Sequence, residues 1–220
     1  MVVFELDRDG RRQQKAAVMK RGDESLILDM QREVEYELVM GQGLSAYEIR
    51  QKTAKADKPN LDFNVKPLPP CGTAPNDTEV VVQAENPTAE GNGSIAVADK
   101  VGADGNAFLH WDWPGHWLEY TFDVPADGAY ELQIKYCISD TPAYRALLVD
   151  GFLPDEALRS LVFTETGGWS SDRDDWRWQP ITADGKTPFR FNLTKGRHVF
   201  RFVNIENSMN MDVLKLKAVP

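Results

Sequence analysis

Apolar and polar side chains alternate along two neighbouring segments, WLEYTFDV (117–124) and YELQIKYCI (130–138). A period of two residues is that of a β-strand with one buried face. The turn PADG between the two segments predicts that they form a hairpin. The residues predicted to face the core are Leu118, Tyr120, Phe122, Val124, Tyr130, Leu132, Ile134, Tyr136 and Ile138.

Five more segments of residues 79–220 have the length and composition of strands. Turn formers separate them at near-regular spacing, and almost no helical period is present. This pattern predicts an all-β fold, an antiparallel β-sandwich. Two connections, at about 86–116 and 150–187, are too long for hairpin turns and are therefore candidates for function. The five segments are VVVQAE, YRALLVDG, PFRFNLT, RHVFRFVNI and DVLKLKAV, with a Lys-Gly turn at 195–196.

The chain before the sandwich divides into two parts. Residues 1–52 predict a small strand-rich unit, which is either independent or the tail of a larger enzyme domain. Residues 53–78 contain five prolines and no sustained period, and so predict a linker. The candidate strands of the first part are VVFEL, QKAAVMK, SLILDM, VEYELVM and SAYEIRQ, of which the second also suits a helix.

Charge and hydrophobicity exclude two classes of partner. The net charge is −9, and residues 1–70 hold equal numbers of acidic and basic side chains, so the acidic excess lies in residues 71–220. Nucleic acid is excluded because its phosphates require clustered Lys and Arg. No run of eighteen apolar residues predicts a membrane span. The first residues, MVVFELDRDG, do not have the plan of a secretory signal, so the chain is either intracellular or a piece of a longer secreted protein.

Few residues are suited to catalysis. The sequence contains no HExxH, CxxC, GxxxxGK[ST] or GxSxG motif, and its three histidines have no metal-ligand spacing. Asp172, Asp174 and Asp175 are nominal candidates for a pair of hydrolytic carboxylates, but a solvated loop explains them more simply. Cys71 and Cys137 are the only cysteines, and the sequence does not decide whether they pair.

Three of the six tryptophans lie in one predicted loop, TGGWSSDRDDWRW (166–178). An indole in a loop either packs on the core or is presented to a ligand. The C–H-rich face of a sugar ring packs on an aromatic plane, and its hydroxyls bind nearby polar groups. Trp169, after two glycines, is the best candidate for such a platform. Trp176 and Trp178 also fit a strand in which one of them is buried, and Trp111 and Trp113 fit either role.

The two ends of the predicted sandwich carry a possible metal site. Gln83 and Glu85 end the first strand, Asp212 opens the last, and the three converge if these strands are neighbours. Calcium, with backbone carbonyls completing its shell, would satisfy such buried oxygens. From the residues alone, an exposed Glu85 at a strand end is the simpler interpretation.

Five segments in order resemble carbohydrate-binding modules of families 6 and 35, which have a galactose-binding-like jelly-roll sandwich. The resemblance covers about residues 79–220. Residues 1–70 resemble no family that we can name. The segments are VVVQAENPTAEGNGS, GHWLEYTFDVPADGAYELQIKY, YRALLVDG, TGGWSSDRDDWRW and LTKGRHVFRFVNIENSMNMDVLKL.

The resemblance implies two sites. One is a structural calcium held by Gln83, Glu85 and Asp212, which makes the metal the favoured interpretation. The other is a sugar site at one end of the sandwich, in which Trp169 stacks on the ring and Asn210 binds hydroxyls. The segment ADKVGADGNAF departs from the family because it lacks the second aromatic residue, unless a residue further along replaces it. The candidates for that place are His110, Trp111 and Trp113, and the remaining candidate ligand residues are Trp176, Arg173 and Arg177.

These expectations predict a non-catalytic module that binds a poly- or oligosaccharide by aromatic stacking. It would be an accessory part of an extracellular or periplasmic polysaccharide-degrading enzyme, covalently linked to a catalytic domain in the full-length protein. Two alternatives stay open. One is the C-terminal fragment of a polysaccharide lyase or glycoside hydrolase, which would release products from uronic-acid polymers. The other is a protein-interaction sandwich, with the tryptophan loop as a hot spot.

Overall fold

The chain divides into two units, Met1–Asp57 and Lys58–Pro220. The computed structural model describes three strands of the first unit, together with residues 62–75 and 77–220. In the first unit, β1 (Val2–Leu6) pairs antiparallel with both β2 (Arg12–Ala17) and β3 (Glu35–Val39). The segment QKAAVMK therefore contributes to a strand. The predicted strands SLILDM and SAYEIRQ lie outside the described residues.

The second unit is an antiparallel β-sandwich, which confirms the predicted fold class. Its smaller sheet has the strand order β11-β10-β14-β8-β5. The strands of this sheet are β5 (Ala89–Gly91), β8 (Trp117–Val124), β10 (Ala143–Val149), β11 (Leu161–Phe163) and β14 (Gly196–Glu206).

The larger sheet has the order β12-β9-β15-β7-β6, with β13 added to β9 and β4 added to β15. The last strand, β15, therefore pairs with the first strand of the unit, β4, as the metal hypothesis requires. The strands of this sheet are β4 (Glu79–Gln83), β6 (Ala96–Asp99), β7 (Asn106–Leu109), β9 (Gly128–Cys137), β12 (Arg177–Pro180), β13 (Arg190–Leu193) and β15 (Asn210–Val219).

The core lies between the two sheets and follows the predicted alternation. The predicted hairpin is wrong, because β8 and β9 do not pair: the turn between them carries the chain from the smaller sheet to the larger one. All nine positions predicted to face the core along these two strands are nevertheless buried, since each strand has its apolar face toward the interior of the sandwich. Aromatic rings pack edge to face across the interior, as between Tyr136 of the larger sheet and Phe163 of the smaller sheet, whose centroids are 5.1 Å apart. Such pairs stabilise a core beyond their buried area. The two packed sheets are therefore the rigid scaffold from which the loops of the unit project.

The two long connections contain more regular structure than the alternation predicts. The first holds β5, β6 and β7, and the second holds β11, β12 and the 3-10 helix Glu156–Arg159. Strands of three or four residues have too few positions for alternation to be visible, and tertiary pairing decides their conformation. The tryptophan segment 166–178 is a loop only up to Trp176, since β12 begins at Arg177.

Residues 62–75, inside the predicted linker 53–78, lie on the sandwich. The main-chain nitrogen of Lys66 donates a hydrogen bond to the main-chain oxygen of Leu153 at 2.8 Å. Phe63 and Leu68 pack against the core, and Ala74 is buried within it. We call residues 62–75 the strap. Of the rest of the predicted linker, residues 53–61 and 76 lie outside the described residues.

The two cysteines are free thiols in the structure, which leaves no disulfide between them. The Cys71 thiol donates to the main-chain oxygens of Gly128, at 3.0 Å, and Leu193, at 3.3 Å. Cys137 is buried at the end of β9. Among the described residues, no helix is long and apolar enough to cross a membrane.

Candidate functional site

The loop that presents Trp169 is braced by one buried carboxylate. Asp175 accepts a hydrogen bond from the Ser170 nitrogen at 3.1 Å, and the Asp175 nitrogen donates to the Ser170 hydroxyl at 2.9 Å. Arg173 donates to the other Asp175 oxygen at 2.6 Å and to the Gly167 oxygen at 2.7 Å. These bonds close the loop on itself and fix the main chain on both sides of Trp169.

Arg173 was predicted as a ligand residue and is here part of the brace. Its side chain is 67% exposed, so its guanidinium remains at the surface while it bonds within the loop. Arg177 donates to the Thr164 hydroxyl at 3.1 Å. Both arginines therefore have partners within the protein, and their predicted role as ligand residues stays a prediction.

Trp169 is half-buried: one part of its side chain packs against the core and the rest faces solvent. The following residue, Ser170, and Asn210 both make side-chain hydrogen bonds to Cys137. Burial raises the pKa of the Cys137 thiol to about 11, against the lowering effect of these two bonds. Trp169 and Asn210 thus lie at the same end of β9. Asn210 is 5% exposed.

His110 and Trp113 lie on the connection from β7 to β8, at the same end of the sandwich. Because β7 and β15 are antiparallel and pair at Phe108 and Met211, the residues after Phe108 continue beyond the start of β15. His110 is exposed, with a positive φ of 66°, and Trp113 is half-buried. We call this end, formed by Trp169, Asn210 and the loop 110–116, the loop end.

Trp111 is excluded from ligand contact because it is fully buried. The Arg145 guanidinium lies 4.2 Å from the centre of its ring. Arg145 is itself buried, and burial lowers its pKa to about 9. It donates to the Asn204 side chain and to the main-chain oxygens of Glu206 and Asn207, all at 2.9 Å. Arg145 thereby ties the loop 110–116 to the turn before β15. The only sequence signal for it is a charged residue in the apolar strand YRALLV.

Trp176 and Trp178 lie on the outer face of the larger sheet, and neither is buried. The Trp176 indole nitrogen donates to the Val101 oxygen at 3.0 Å. Trp178 is 43% exposed, stands opposite Lys135 on β9, and has the Lys215 ammonium 5.1 Å from its ring centre. The expectation that one of the two is buried is therefore wrong. Trp176 is bound to the loop 100–105, unlike the residues of the loop end.

The three predicted metal ligands converge, and the structure adds Asp104 to them. Gln83 pairs with Val213 across β4 and β15, and the Ala84 main-chain nitrogen donates to the main-chain oxygen of Asp212 at 2.8 Å. The Asp104 nitrogen donates to both carboxylate oxygens of Asp212, each at 3.1 Å. The Gln83 amide donates to an Asp104 carboxylate oxygen at 3.3 Å. We call Gln83, Glu85, Asp104 and Asp212 the oxygen cluster.

The donor set of this cluster fits a hard cation. Gln83 Oε1 and Glu85 Oε2 are buried, and each has no hydrogen-bond partner among the described residues. Burial, with repulsion from Asp212 and Asp104, raises the pKa of Glu85. In the described part of the chain, no three His, Cys, Asp or Glu side chains suffice to hold a metal. A cation here would therefore need the Gln83 amide oxygen and main-chain carbonyls, which are ligands that calcium accepts.

Comparison with known proteins supports the fold. No family model matches the sequence, and no curated protein matches it. A family 35 carbohydrate-binding module from Clostridium thermocellum is 23% identical, with a TM-score of 0.51, over 64% of this chain and 99% of the module. A Paenibacillus sp. cycloisomaltooligosaccharide glucanotransferase complexed with cycloisomaltoheptaose is 21% identical, with a TM-score of 0.50. That match covers 64% of this chain and 18% of the glucanotransferase. The resemblance seen in the sequence is thus confirmed in three dimensions: about two thirds of the chain is similar in fold to a family 35 carbohydrate-binding module.

Proposed function

We propose that the second unit binds a carbohydrate at the loop end, with Trp169 as the stacking platform. The observation that carries this proposal is that Trp169 is partly exposed on a loop whose backbone is fixed by Asp175. A preorganised aromatic plane binds a sugar ring without the entropic cost of ordering a loop. The similar proteins add support, because one is a carbohydrate-binding module and another was crystallised with a cyclic oligosaccharide.

The rim of the proposed site is polar. His110 is exposed on the loop 110–116, and Trp113 beside it is the candidate for the second aromatic contact. Asn210 is 5% exposed and pairs with Cys137 at the end of β9, and we propose it as the contact to a sugar hydroxyl. Stacking on a few aromatic residues with a polar rim is typical of shallow ligand sites.

We infer that the oxygen cluster holds a structural calcium ion. Gln83, Glu85 and Asp212, with Asp104, would supply its side-chain ligands, and the two unpartnered oxygens would gain partners. The ion would stabilise the contact between the loop 100–105 and the strands β4 and β15. It would take no part in a reaction.

The wider role belongs to the same proposal. A module that binds a polymer raises the local concentration of an attached enzyme on that polymer. We propose that this chain is such an accessory part of a polysaccharide-degrading enzyme outside the cell. Assaying the full chain for product release from uronic-acid polymers separates this role from that of a lyase or hydrolase fragment.

A glycan array with three forms of the full chain tests the proposed site. We expect the wild type to bind a defined set of glycans and Trp169→Ala to lose that binding by at least about tenfold, the loss of a ring contact worth about 1.4 kcal/mol. Trp178→Ala is the matched control, because it removes an exposed indole from the outer face of the larger sheet.

Two outcomes would contradict the proposal. One is a folded wild type that binds no glycan on a broad array. The other is unchanged binding in Trp169→Ala together with loss in Trp178→Ala, which would place the ligand on the sheet face. Repeating the array with a calcium chelator shows whether the metal contributes to binding or only to stability.

A further inference from the structure

The oxygen cluster is in contact with a cation that belongs to the protein itself. Lys135 lies on the outer face of β9, between the buried residues Ile134 and Tyr136. Its ammonium nitrogen is 2.7 Å from Asp212 Oδ2 and 2.7 Å from the Gly102 oxygen. The Lys135 side chain is 15% exposed, and the Asp212 side chain is fully buried. The ammonium therefore neutralises a carboxylate that has no access to water.

Lys135 occupies oxygens that a metal ion would otherwise use. Asp212 Oδ2 already accepts a hydrogen bond from the Asp104 nitrogen, and the ammonium adds a second one. A carboxylate oxygen has about two lone-pair sites, so Oδ2 is filled. The Gly102 carbonyl, a ligand of the kind that calcium takes, is also bound by the ammonium.

The other side of the cluster has free binding capacity. Gln83 Oε1 and Glu85 Oε2 are the buried oxygens without a hydrogen-bond partner, and neither is bound by Lys135. The Asp212 and Gly102 oxygens thus have the Lys135 ammonium as a partner, whereas Gln83 Oε1 and Glu85 Oε2 have no partner. A divalent ion bound to the second pair of oxygens would lie close to a fixed positive charge, and like charges repel.

Charge gives an independent reason for competition. Glu85, Asp104 and Asp212 supply three carboxylates, and Lys135 offsets one of them. Removing the ammonium leaves the cluster more negative and frees two oxygens for coordination. Both changes favour a divalent cation, since calcium affinity rises with the number of charged ligands.

We propose that Lys135 is a tethered cation that competes with calcium in the oxygen cluster. This inference rests on the calcium site proposed above. It has two consequences. The wild type stays folded when calcium is removed, because Asp212 keeps a counter-ion. The wild type also binds calcium more weakly than a variant without the ammonium.

Calorimetric titration of the chelator-treated full chain with calcium chloride tests the competition. We expect Lys135→Met to bind calcium at least about tenfold more tightly than the wild type. Lys215→Met is the matched control: it removes one positive charge from the same sheet face, where Lys215 pairs with Glu79 at 3.2 Å. It is expected to change calcium affinity by less than about twofold, because the Lys215 ammonium is paired with Glu79 and not with a residue of the oxygen cluster.

Thermal unfolding supplies a second readout. Adding a chelator is expected to lower the Tm of Lys135→Met more than that of the wild type, because only in the variant is the fully buried Asp212 carboxylate then left without a counter-ion. If Lys135→Met does not fold without calcium, it is purified in calcium. Lys135→Gln, a neutral side chain that still donates hydrogen bonds, replaces it in the titration.

The outcomes separate this inference from the calcium proposal. Wild-type binding with no increase in Lys135→Met or Lys135→Gln would overturn the competition and leave the calcium site in place. Weaker binding in both variants would make Lys135 a positioning residue for Asp212 and would also overturn the competition. No calcium binding by any form would overturn both proposals. Tighter binding in both variants, with Lys215→Met unchanged, supports the tethered cation.

Discussion

At the scale of single residues, the platform depends on side chains that do not contact a ligand. A Cβ atom at Gly168 would lie 2.1 Å from Asp175 Oδ2, so the carboxylate occupies the space of a side chain there. Ser170 has a positive φ of 50°, which is uncommon for a residue other than glycine. Its hydrogen bonds to Asp175 compensate for this conformation. The orientation of Trp169 is thus set by its neighbours in sequence.

Asp175→Asn tests the brace. The amide can accept a bond on one side only, so either the Ser170 N–H or the Arg173 N–H faces another donor. A buried donor left without an acceptor costs about 1–3 kcal/mol, and we expect a decrease of that size in the free energy of unfolding in urea. Glycan binding should weaken as well, because the Trp169 loop is no longer fixed.

Asp172→Asn is the control for this change. Asp172 lies in the same loop at an exposed position, so its substitution removes the same charge without touching the brace. Equal stability of the two variants would show that Asp175 does not fix the loop. Reduced stability with unchanged glycan binding would show that the brace serves folding alone.

Sequence reasoning identified Trp169 but not what holds it. An indole that follows two glycines in a turn-rich segment can be recognised from the sequence alone as a candidate platform. The bonds of Asp175, Ser170 and Arg173 depend on the fold of the loop, which no periodicity encodes. The sequence does not indicate a role for Asp104 or Lys135 for the same reason. Each is an ordinary polar residue, and only its contact with Asp212 in the folded protein places it at the oxygen cluster.

At the scale of elements, alternation predicted the long strands and missed the short ones. The strands β8 and β9 have eighteen residues together, and the two faces of each strand are separated clearly by polarity. Alternation does not show that the turn between them leads from one sheet to the other. The strands β5, β6 and β7 have three or four residues each, within the connection 86–116. Tertiary pairing decides their structure: β5 pairs with β8, β7 with β15, and β6 with β7, so the sequence alone predicts only a long connection.

The strap is a second segment whose structure is not predicted by local sequence patterns. Its prolines predict a linker, because proline interrupts regular hydrogen bonding. The tertiary contacts of Phe63, Leu68 and Ala74 nevertheless hold it on the core. The Arg159 side chain adds a hydrogen bond to the Phe63 oxygen at 3.1 Å. A proline-rich segment can thus belong to a domain when its few apolar side chains have a surface to cover.

Truncation tests the strap. A fragment of residues 79–220 lacks it, and a fragment of residues 58–220 retains it. We expect the shorter fragment to be less stable by at least about 2 kcal/mol, because a buried Phe or Leu side chain contributes about 1.5–3 kcal/mol. Urea unfolding of both fragments measures the difference.

Phe63→Ala in the longer fragment separates packing from chain length. It should account for a large part of the loss, whereas Val65→Ala, at an exposed position, should have little effect. Equal stability of the two fragments would mean that the strap rests on the sandwich without stabilising it, and that residue 79 is the functional start of the domain.

At the scale of the whole molecule, both proposed sites belong to one unit. Trp169, Asn210, the loop 110–116 and the oxygen cluster all lie within Lys58–Pro220. The described strands of Met1–Asp57 form a sheet of their own, with the order β2-β1-β3. The acidic excess falls in residues 71–220, so the binding unit carries nearly all of the net charge of the chain. Stacking on Trp169 needs no opposite charge on the ligand.

A fragment of residues 58–220 should therefore bind the same glycans as the full chain. We expect its dissociation constant for the best array ligand to lie within about twofold of the full chain's, a difference below about 0.4 kcal/mol. Calorimetry on both forms measures this, and Trp169→Ala in the fragment controls for non-specific binding. A loss of more than tenfold would assign part of the binding surface to residues 1–57. An unchanged affinity leaves the first unit free for a separate task, such as the connection to a catalytic domain.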